Sequence, residues 1–255
     1  MSLIETRPVG DVLEVRMARA PVNAMNEALL TELLATLRAA GQGPARAIVL
    51  SGLPGIFSAG LDVPELMTKD AAGMRAFWKL FFDVQRQLAG SPIPVAAAIT
   101  GHSPAGGAVF AMYCDYRVMA EGAFRIGMNE VAVGIHPGPV LHGVLKRLVG
   151  ARHAELLLGT ARMMTAAEAL RFGFVDELAP PGEVVDRAFA WSQQALQLPA
   201  AAYAATRALA RADLIELVRT AALEGHEGAG SPADHWWDPE TQAILSVLVH
   251  KLKKR

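Results

Sequence analysis

Apolar and polar positions follow two different periods near the start of the chain. Residues Leu3–Met17 predict two short strands around a turn at Pro8–Asp11, because polarity alternates from one residue to the next after the turn. From Asn26 onward the apolar residues recur at helical spacing, and Gly41 is the expected end of this helix. The apolar stripe of the helix is formed by Leu29, Leu30, Leu33, Leu34 and Leu37.

Strands and helices continue to alternate through the middle of the chain. Short apolar runs predict buried strands at 47–50, 94–100, 116–119, 123–126 and 174–178. Helical patterns cover 61 to about 89, 140–150 and the residues from a capping box at Thr165–Glu168 to Gly173. Glycine-rich stretches at 51–60 and 127–138 are expected to be loops.

The last third of the chain has a different character. Beyond Pro181 the pattern is almost entirely helical, and a final helix is expected to begin at Asp238–Pro239. Alternating strands and helices followed by helices alone predict an α/β fold with a helical C-terminal subdomain. We expect residues 1–195 to form the core with the active site, and residues 196–255 to form the helical subdomain, which takes part in oligomerisation.

The stretch Gly101–Gly107 joins a predicted strand to an apolar helix. Such a turn presents free backbone N–H groups with the helix dipole behind them, which suits an oxyanion or a polarised carbonyl. Ser103 lies where the pattern G-x-S-x-G has its nucleophile, but Pro104 lacks the N–H that a hydrolase takes from the next residue. We therefore expect the turn to stabilise an anion through the amides of Gly106 and Gly107 without attacking it.

Composition narrows the class of protein. Over 255 residues, hydrophobic side chains make up 52% and charged ones 19%, which is typical of a compact globule, and a net charge of −1 does not favour nucleic acid binding. The uncharged run 87–114 is interrupted by prolines and glycines, so we expect a buried segment and no membrane association. The single cysteine, Cys114, excludes an internal disulfide and indicates a reducing compartment such as the cytoplasm.

Other candidate side chains have ordinary explanations. His136 and His142 are six residues apart and have no third ligand beside them, so no metal site is expected. His102, next to the glycine turn, is either a structural histidine or a substrate contact. Trp236 and Trp237 are expected in the core or at a subunit interface.

Two glycine-rich loops, Phe57–Asp62 and Ser103–Gly107, each follow a predicted strand and precede a helix, and Gly173–Glu177 comes later. In this order and spacing they resemble the crotonase superfamily of enoyl-CoA hydratases and isomerases. The resemblance runs from about residue 3 to about residue 180 and implies a spiral of ββα units. It also implies an acyl-CoA thioester substrate and a homotrimer or dimer of trimers. CoA is then part of the substrate, and no separate cofactor or metal is implied.

The resemblance also implies which residues form the site. By position, the backbone amides of Leu61 and Gly106 hold the thioester oxygen and Glu130 moves the proton. Further positions are expected to contact the substrate: Ala24, Ala59, Gly60, Asp62, Gly107 and Asn129. Asp62 has a second interpretation, since it is also placed to cap the helix that follows.

Two positions separate the branches of the superfamily. Hydratases carry a glutamate two residues after the glycine pair, where this chain has Val109. The segment Ile126–Ile135 is instead similar to the mitochondrial-type Δ3,Δ2-enoyl-CoA isomerases, in which a single glutamate, here Glu130, does the chemistry. The resemblance therefore implies an isomerase of β-oxidation. Another crotonase-fold reaction such as weak hydration, a non-catalytic acyl-CoA binder, and a serine hydrolase using Ser103 stay open as alternatives.

Overall fold

The computed structural model describes residues 2–224 and 235–253. Its strands are β1 Ile4–Val9, β2 Val12–Met17, β3 Ala47–Ser51, β4 Gly55–Ile56, β5 Val95–Ile99, β6 Gly101–Pro104, β7 Tyr116–Ala120, β8 Arg125–Gly127, β9 Met164–Thr165 and β10 Glu177–Ala179. They form a larger sheet in the order β1-β2-β3-β5-β7-β10 and a smaller one in the order β4-β6-β8-β9. The larger sheet is parallel apart from the β1–β2 hairpin, and in the smaller sheet only β9 runs antiparallel to its neighbour.

Helices alternate with these strands along the chain and continue after the last strand. They are α1 Glu27–Gln42, α2 Val63–Leu66, α3 Ala71–Ala89, α4 Gly106–Met112, a 3-10 helix at Glu130–Val133, α5 Gly138–Gly159, α6 Ala166–Arg171, α7 Val184–Ala195, α8 Ala200–Ala210, α9 Ala212–Glu224 and α10 Pro239–Lys253. The chain passes three times from a strand of the larger sheet to a short strand of the smaller sheet and then to a helix. This is the spiral of ββα units that the resemblance implies.

The central strands β3 and β5 of the larger sheet are buried along their whole length, and both are apolar apart from Ser51, as is typical of strands covered on both faces. Ala96 and Ala98 point towards α7, where they pack with Ala188 and Phe189. Ala97 points the other way, into the main core. Because alanine is small, α7 lies close against the sheet.

Three predicted boundaries are wrong in informative ways. The first helix does not end at Gly41, because α1 continues to Gln42 and Gly43 caps it. A Cβ built at Gly41 would lie 3.1 Å from the Pro92 ring, so the glycine at this position permits a close contact with Pro92. The predicted helix from 61 to 89 is two helices, because Asp70 starts α3 by accepting a hydrogen bond from the Gly73 N–H at 2.7 Å.

The third wrong boundary concerns the glycine turn. Gly101–Pro104 is strand β6 of the smaller sheet, and the change to helix takes place at Ala105 alone. Two smaller differences lie further on. The predicted loop 127–138 contains the 3-10 helix, and α5 extends well beyond the predicted 140–150, with a break at Gly150, whose φ is 79°. The capping box at Thr165 is confirmed.

A carboxylate with little solvent exposure is one of the contacts that attach the C-terminal helices to the core. Asp115, at the start of β7, accepts hydrogen bonds from Arg207 at 2.8 Å and from Arg211 at 3.0 Å. Arg211 also donates to the Tyr113 carbonyl at 2.6 Å. The predicted boundary after residue 195 coincides with the end of α7, but the division into two domains, the trimeric assembly and the cytoplasmic location stay predictions. Within residues 2–224 and 235–253, every helix is too short or too polar to cross a bilayer.

We expect Asp115→Asn to lower the free energy of unfolding by about 3–5 kcal/mol, because two arginines would be left buried without their counter-charge. Glu155→Gln serves as the control. Its partner is Arg152, both side chains are largely exposed, and such a pair contributes about 1 kcal/mol or less. Chemical denaturation of both variants measures the difference, and equal losses would contradict this account of how the helices are held.

Candidate active site

A cavity of about 500 Å³ lies where the loops of successive ββα units meet. Its walls come from the loop before α1, the loop before α2, the start of α4, the 3-10 helix and α10. Most of the lining is apolar and includes Trp78, Phe81, Phe82, Ile135, Leu141 and Leu248. A cavity of this kind accepts an aliphatic chain, and the few polar groups in its wall decide what chemistry takes place there.

The first of these polar groups is the backbone of Leu61. Met25 pairs with this loop as a short parallel bridge: its N–H donates to the Gly60 carbonyl at 2.7 Å, and its carbonyl accepts from the Asp62 N–H at 2.9 Å. Successive residues of an extended chain point to opposite sides, so the Leu61 N–H is directed away from Met25. Asp62 then caps α2 by accepting from the Glu65 N–H at 3.1 Å, as its second interpretation predicts.

The second polar group is the backbone of Gly106, the first residue of α4. The chain reaches it through Ala105, whose φ of 46° is rare for a residue with a side chain. A Cβ built on Gly60 would lie 3.3 Å from the Gly106 nitrogen, so the two loops touch through their backbones. Within the described part of the chain, no protein acceptor is hydrogen-bonded to the N–H of Leu61 or of Gly106.

Glu130 is the third polar group and the first residue of the 3-10 helix. Its side chain is buried, with 8% of the residue exposed, and its Oε2 has no hydrogen-bond partner among the described residues. Burial disfavours the charged form and raises the pKa of this carboxyl to about 7, although a hydrogen bond from its own backbone N–H acts in the opposite direction. Near neutral pH such a group both accepts and returns a proton.

Glu130 is the carboxylate of the described cavity lining that has no ion-pair partner. The described lining contains one other, Asp62, but it is paired with Arg19 at 2.7 Å. Val109 also lines the cavity and has no group that ionises. Asn129 lies beside Glu130, and its buried Oδ1 has no hydrogen-bond partner in the described part of the chain, so it is available to a bound molecule.

The predicted substrate contacts fall into two groups. Ala24, Ala59, Asp62 and Asn129 line the cavity, together with the three residues expected to do the chemistry. Gly60 and Gly107 are not in the wall. Gly60 lies against Gly106, and a Cβ built on Gly107 would be 2.7 Å from the Ser103 hydroxyl. Both glycines therefore permit close packing behind the site.

The remaining candidates do not form a second reactive site. Ser103 is fully buried, and its hydroxyl has no partner among the described residues that acts as a base. His102 accepts a hydrogen bond from the Arg125 N–H and packs edge-on against Phe124, outside the cavity. Burial raises the pKa of the Cys114 thiol to about 12, which makes it unreactive. In residues 2–224 and 235–253, no three His, Cys, Asp or Glu side chains are grouped to hold a metal.

Sequence reasoning missed part of the lining. His136 lies in the cavity wall, with its ring 5.4 Å from that of His235. Trp78 and Phe81 of α3 and Leu248 of α10 also line it. Their helical spacing is the same as that of core residues, so periodicity alone does not distinguish the wall of a cavity from the interior.

Comparison with known proteins decides the class of this site. Residues 9–228 match the family model described as enoyl-CoA hydratase/isomerase. The chain belongs to the enoyl-CoA hydratase/isomerase family. It is therefore an enzyme of that family with the crotonase fold, as the order of its loops predicted.

Individual family members show how close the similarity is. The chain is 33% identical over 212 residues to the human mitochondrial enoyl-CoA delta isomerase 1, a match that covers 82% of this chain and 70% of the relative. It is 32% identical over 231 residues to the probable enoyl-CoA hydratase echA17 of Mycolicibacterium paratuberculosis, covering 88% and 89% of the two chains. The crystal structure of human mitochondrial delta3-delta2-enoyl-CoA isomerase superposes with a TM-score of 0.92 at 29% identity over 99% of both chains. This chain is about equally similar in sequence to an isomerase and to a probable hydratase, so only the residues of the site distinguish the two reactions.

The buried carboxylate of this hydratase/isomerase family enzyme also affects its stability. Because the pKa of Glu130 rises from an ordinary 4.5 to about 7 on folding, the folded state holds its proton at higher pH than the unfolded state. The contribution of the Glu130 carboxyl to the free energy of unfolding is therefore largest below pH 4.5, and it is lost as the pH rises through about 7.

We expect Glu130→Gln to be more stable than the wild type at pH 8, by about 3 kcal/mol, since the amide has no charge to bury. Near pH 4.5 the two should differ much less. Thermal and urea unfolding at both pH values measure this difference. Glu121→Gln, which alters an exposed carboxylate, is the control, and a Glu130→Gln gain independent of pH would contradict a raised pKa.

Proposed function

We propose that this enzyme is a Δ3,Δ2-enoyl-CoA isomerase, which converts 3-enoyl-CoA into 2-trans-enoyl-CoA in fatty acid β-oxidation. The observation that carries the proposal is Glu130: a buried carboxylate with a raised pKa and an unpartnered oxygen, in a cavity where the other described carboxylate is paired with Arg19. A double-bond shift needs one group that removes a proton and returns it, and it needs no second acid or base.

Two backbone amides supply the electrostatic part of the mechanism. With the thioester oxygen between the N–H groups of Leu61 and Gly106, the negative charge that develops on this oxygen is stabilised by donors that are already in position. Their hydrogen bonds also make the C2 protons more acidic. The acyl chain then extends along the apolar wall, and CoA enters as part of the substrate.

Glu130 both removes the proton from the substrate and returns it. Its carboxylate takes a proton from C2, the electrons of the broken C–H bond move into the C2=C1–O system, and a dienolate forms. The neutral carboxyl then gives the proton to C4, and the double bond settles between C2 and C3. C2 and C4 are separated by one carbon, so one carboxyl group with two oxygens serves both positions.

Hydration of 2-enoyl-CoA is the second candidate, favoured by the similarity to a probable hydratase. Addition of water requires a group that orients and activates the water as well as one that protonates the α-carbon. Val109 provides no such group at the position where the hydratase branch has its first glutamate. Among the described residues of this largely apolar wall, only one carboxylate, Glu130, is without an ion-pair partner, and this favours isomerisation.

The direct test of function compares two reactions of the same chain length. We expect conversion of 3-enoyl-CoA to 2-enoyl-CoA to exceed hydration of 2-enoyl-CoA by at least about 10²-fold, because general acid–base catalysis by a second group typically contributes about 10²–10⁴-fold. Spectrophotometry of the conjugated thioester follows both reactions. Comparable rates would assign the enzyme to the hydratase branch, and binding without turnover would make it a non-catalytic acyl-CoA binder.

The role of Glu130 is tested by Glu130→Gln, which keeps the shape of the side chain and removes the proton shuttle. We expect a loss of turnover of about 10²–10⁴-fold or more, with acyl-CoA binding by calorimetry retained through the two amides. Since the base must be ionised, kcat/KM of the wild type should rise with pH through an apparent pKa near 7. Glu121→Gln is again the control, and full turnover in Glu130→Gln would mean that another residue moves the proton.

A further inference from the structure

Met25 is the residue that contacts both of the loops that carry the amides. It is fully buried and does not line the cavity. The structure assigns to Met25 the role of a positioning residue that holds the two amides at the spacing an oxyanion needs. This assignment rests on the proposed function of the site, because it concerns the geometry of the Leu61 and Gly106 donors.

The backbone of Met25 fixes the orientation of the first donor. By bonding to Gly60 and Asp62 on either side of Leu61, it leaves the Leu61 N–H on the opposite side of the strand. Both hydrogen bonds lie within the normal range for N–H···O, at 2.7 and 2.9 Å. Rotation of the Leu61 peptide would break them, so the donor is held in place before any substrate arrives.

The side chain of Met25 supports the second donor. A Cβ built on Gly106 would lie 2.7 Å from the Met25 sulfur and 3.5 Å from Cα of Gly60. The thioether therefore packs directly beneath the first residue of α4, at the place where α4 meets the neighbouring loop. With Ala105 in a rare backbone conformation just before it, this end of α4 depends on support from its surroundings.

Met25 is itself held on both sides along the chain. The carbonyl of Ala24 accepts a hydrogen bond from Arg19 at 2.8 Å. The side chain of Asn26 caps α1 at Leu29 and donates to Glu65 at 2.7 Å. Since its neighbours cannot shift freely, Met25 transmits the position of the α1 N-terminus to both donors.

The test compares two variants of Met25 with a matched control. Met25→Ala removes the support under Gly106, and a displacement of about 1 Å in such a site costs up to about 10²-fold in rate. We expect its kcat to fall about 10- to 100-fold, with KM within about threefold of the wild type. Met25→Leu, of nearly the same volume, should recover most of this loss. Met119→Ala truncates another fully buried methionine, one in β7 and outside the cavity lining, and should leave kcat within about threefold.

A binding measurement tests, independently of turnover, whether Met25 holds the two oxyanion donors in position. A 3-oxoacyl-CoA bound to two oxyanion donors is stabilised as its enolate, which has its own ultraviolet absorption. We expect the wild type, Met25→Leu and Met119→Ala to bind it largely as the enolate, and Met25→Ala to bind it with the enolate fraction reduced several-fold. Where Met25→Ala does not fold, Met25→Val takes its place with the same expectation.

A double variant tests the contact with Gly106 itself. In Gly106→Ala the added methyl group meets the Met25 sulfur, so the enolate fraction should fall. In the Gly106→Ala/Met25→Ala double variant that space is free, and we expect the combined loss to be clearly smaller than the product of the two single losses. Independent effects would show that the thioether does not support this donor.

The outcomes distinguish this assignment from the proposed function. If Met25→Ala and Met119→Ala bind the enolate equally well, or if the wild type stabilises no enolate, the role of Met25 is overturned. If the wild type binds the enolate but does not isomerise 3-enoyl-CoA, the proposed function falls. A selective loss in Met25→Ala would still support Met25 as the residue that spaces the donors.

Discussion

The backbone contact between Gly60 and Gly106 is the constraint on which the rest of the site depends. In the proposed mechanism two N–H groups from separate loops converge on one oxygen, and glycine at positions 60 and 106 lets the two backbones approach each other. The glycine at 60 also has a φ of 83°, a conformation that other residues rarely adopt. The smaller sheet makes the approach possible: β4 and β6 pair directly, and a Cβ at Gly101 would overlap the Gly55 carbonyl at 2.0 Å.

The same arrangement connects the donors to the base. The N–H of Ala105 donates to the Gly127 carbonyl at 2.8 Å, which ties the start of α4 to the end of β8. Glu130 follows three residues later, as the chain turns into the 3-10 helix. Donor and base therefore belong to consecutive ββα units, and a hydrogen bond between the units keeps them in register.

In the proposed mechanism, the burial of Glu130 lowers stability and raises the reactivity of its carboxylate. An ordinary surface glutamate is a weak base towards carbon acids, because its conjugate acid is strong. The apolar wall raises the pKa of Glu130 by withholding solvent from its charge, and the folded enzyme is less stable at neutral pH as a result. The structural sign of this compromise is the buried Oε2, which has no hydrogen-bond partner within residues 2–224 and 235–253.

The chain alone determined the class of fold and the order of its loops. Alternating strands and helices, the capping box at Thr165, and the two glycine-rich loops were readable because they depend on local periodicity and backbone chemistry. The resemblance of those loops also led to Leu61, Gly106 and Glu130, which the structure brings together in one cavity.

Tertiary structure decided the rest, because the remaining features depend on contacts between residues far apart in sequence. Gly101–Pro104 became a strand because β4 and β8 lie on either side of it, and no local pattern encodes those partners. Trp78 and Leu248 line the cavity through helix packing that leaves their apolar spacing unchanged. Met25 is an ordinary apolar residue in the sequence, and only the fold places its sulfur beneath Gly106. The size of the shift that brings the Glu130 pKa to about 7 likewise depends on how completely the folded cavity buries the carboxylate.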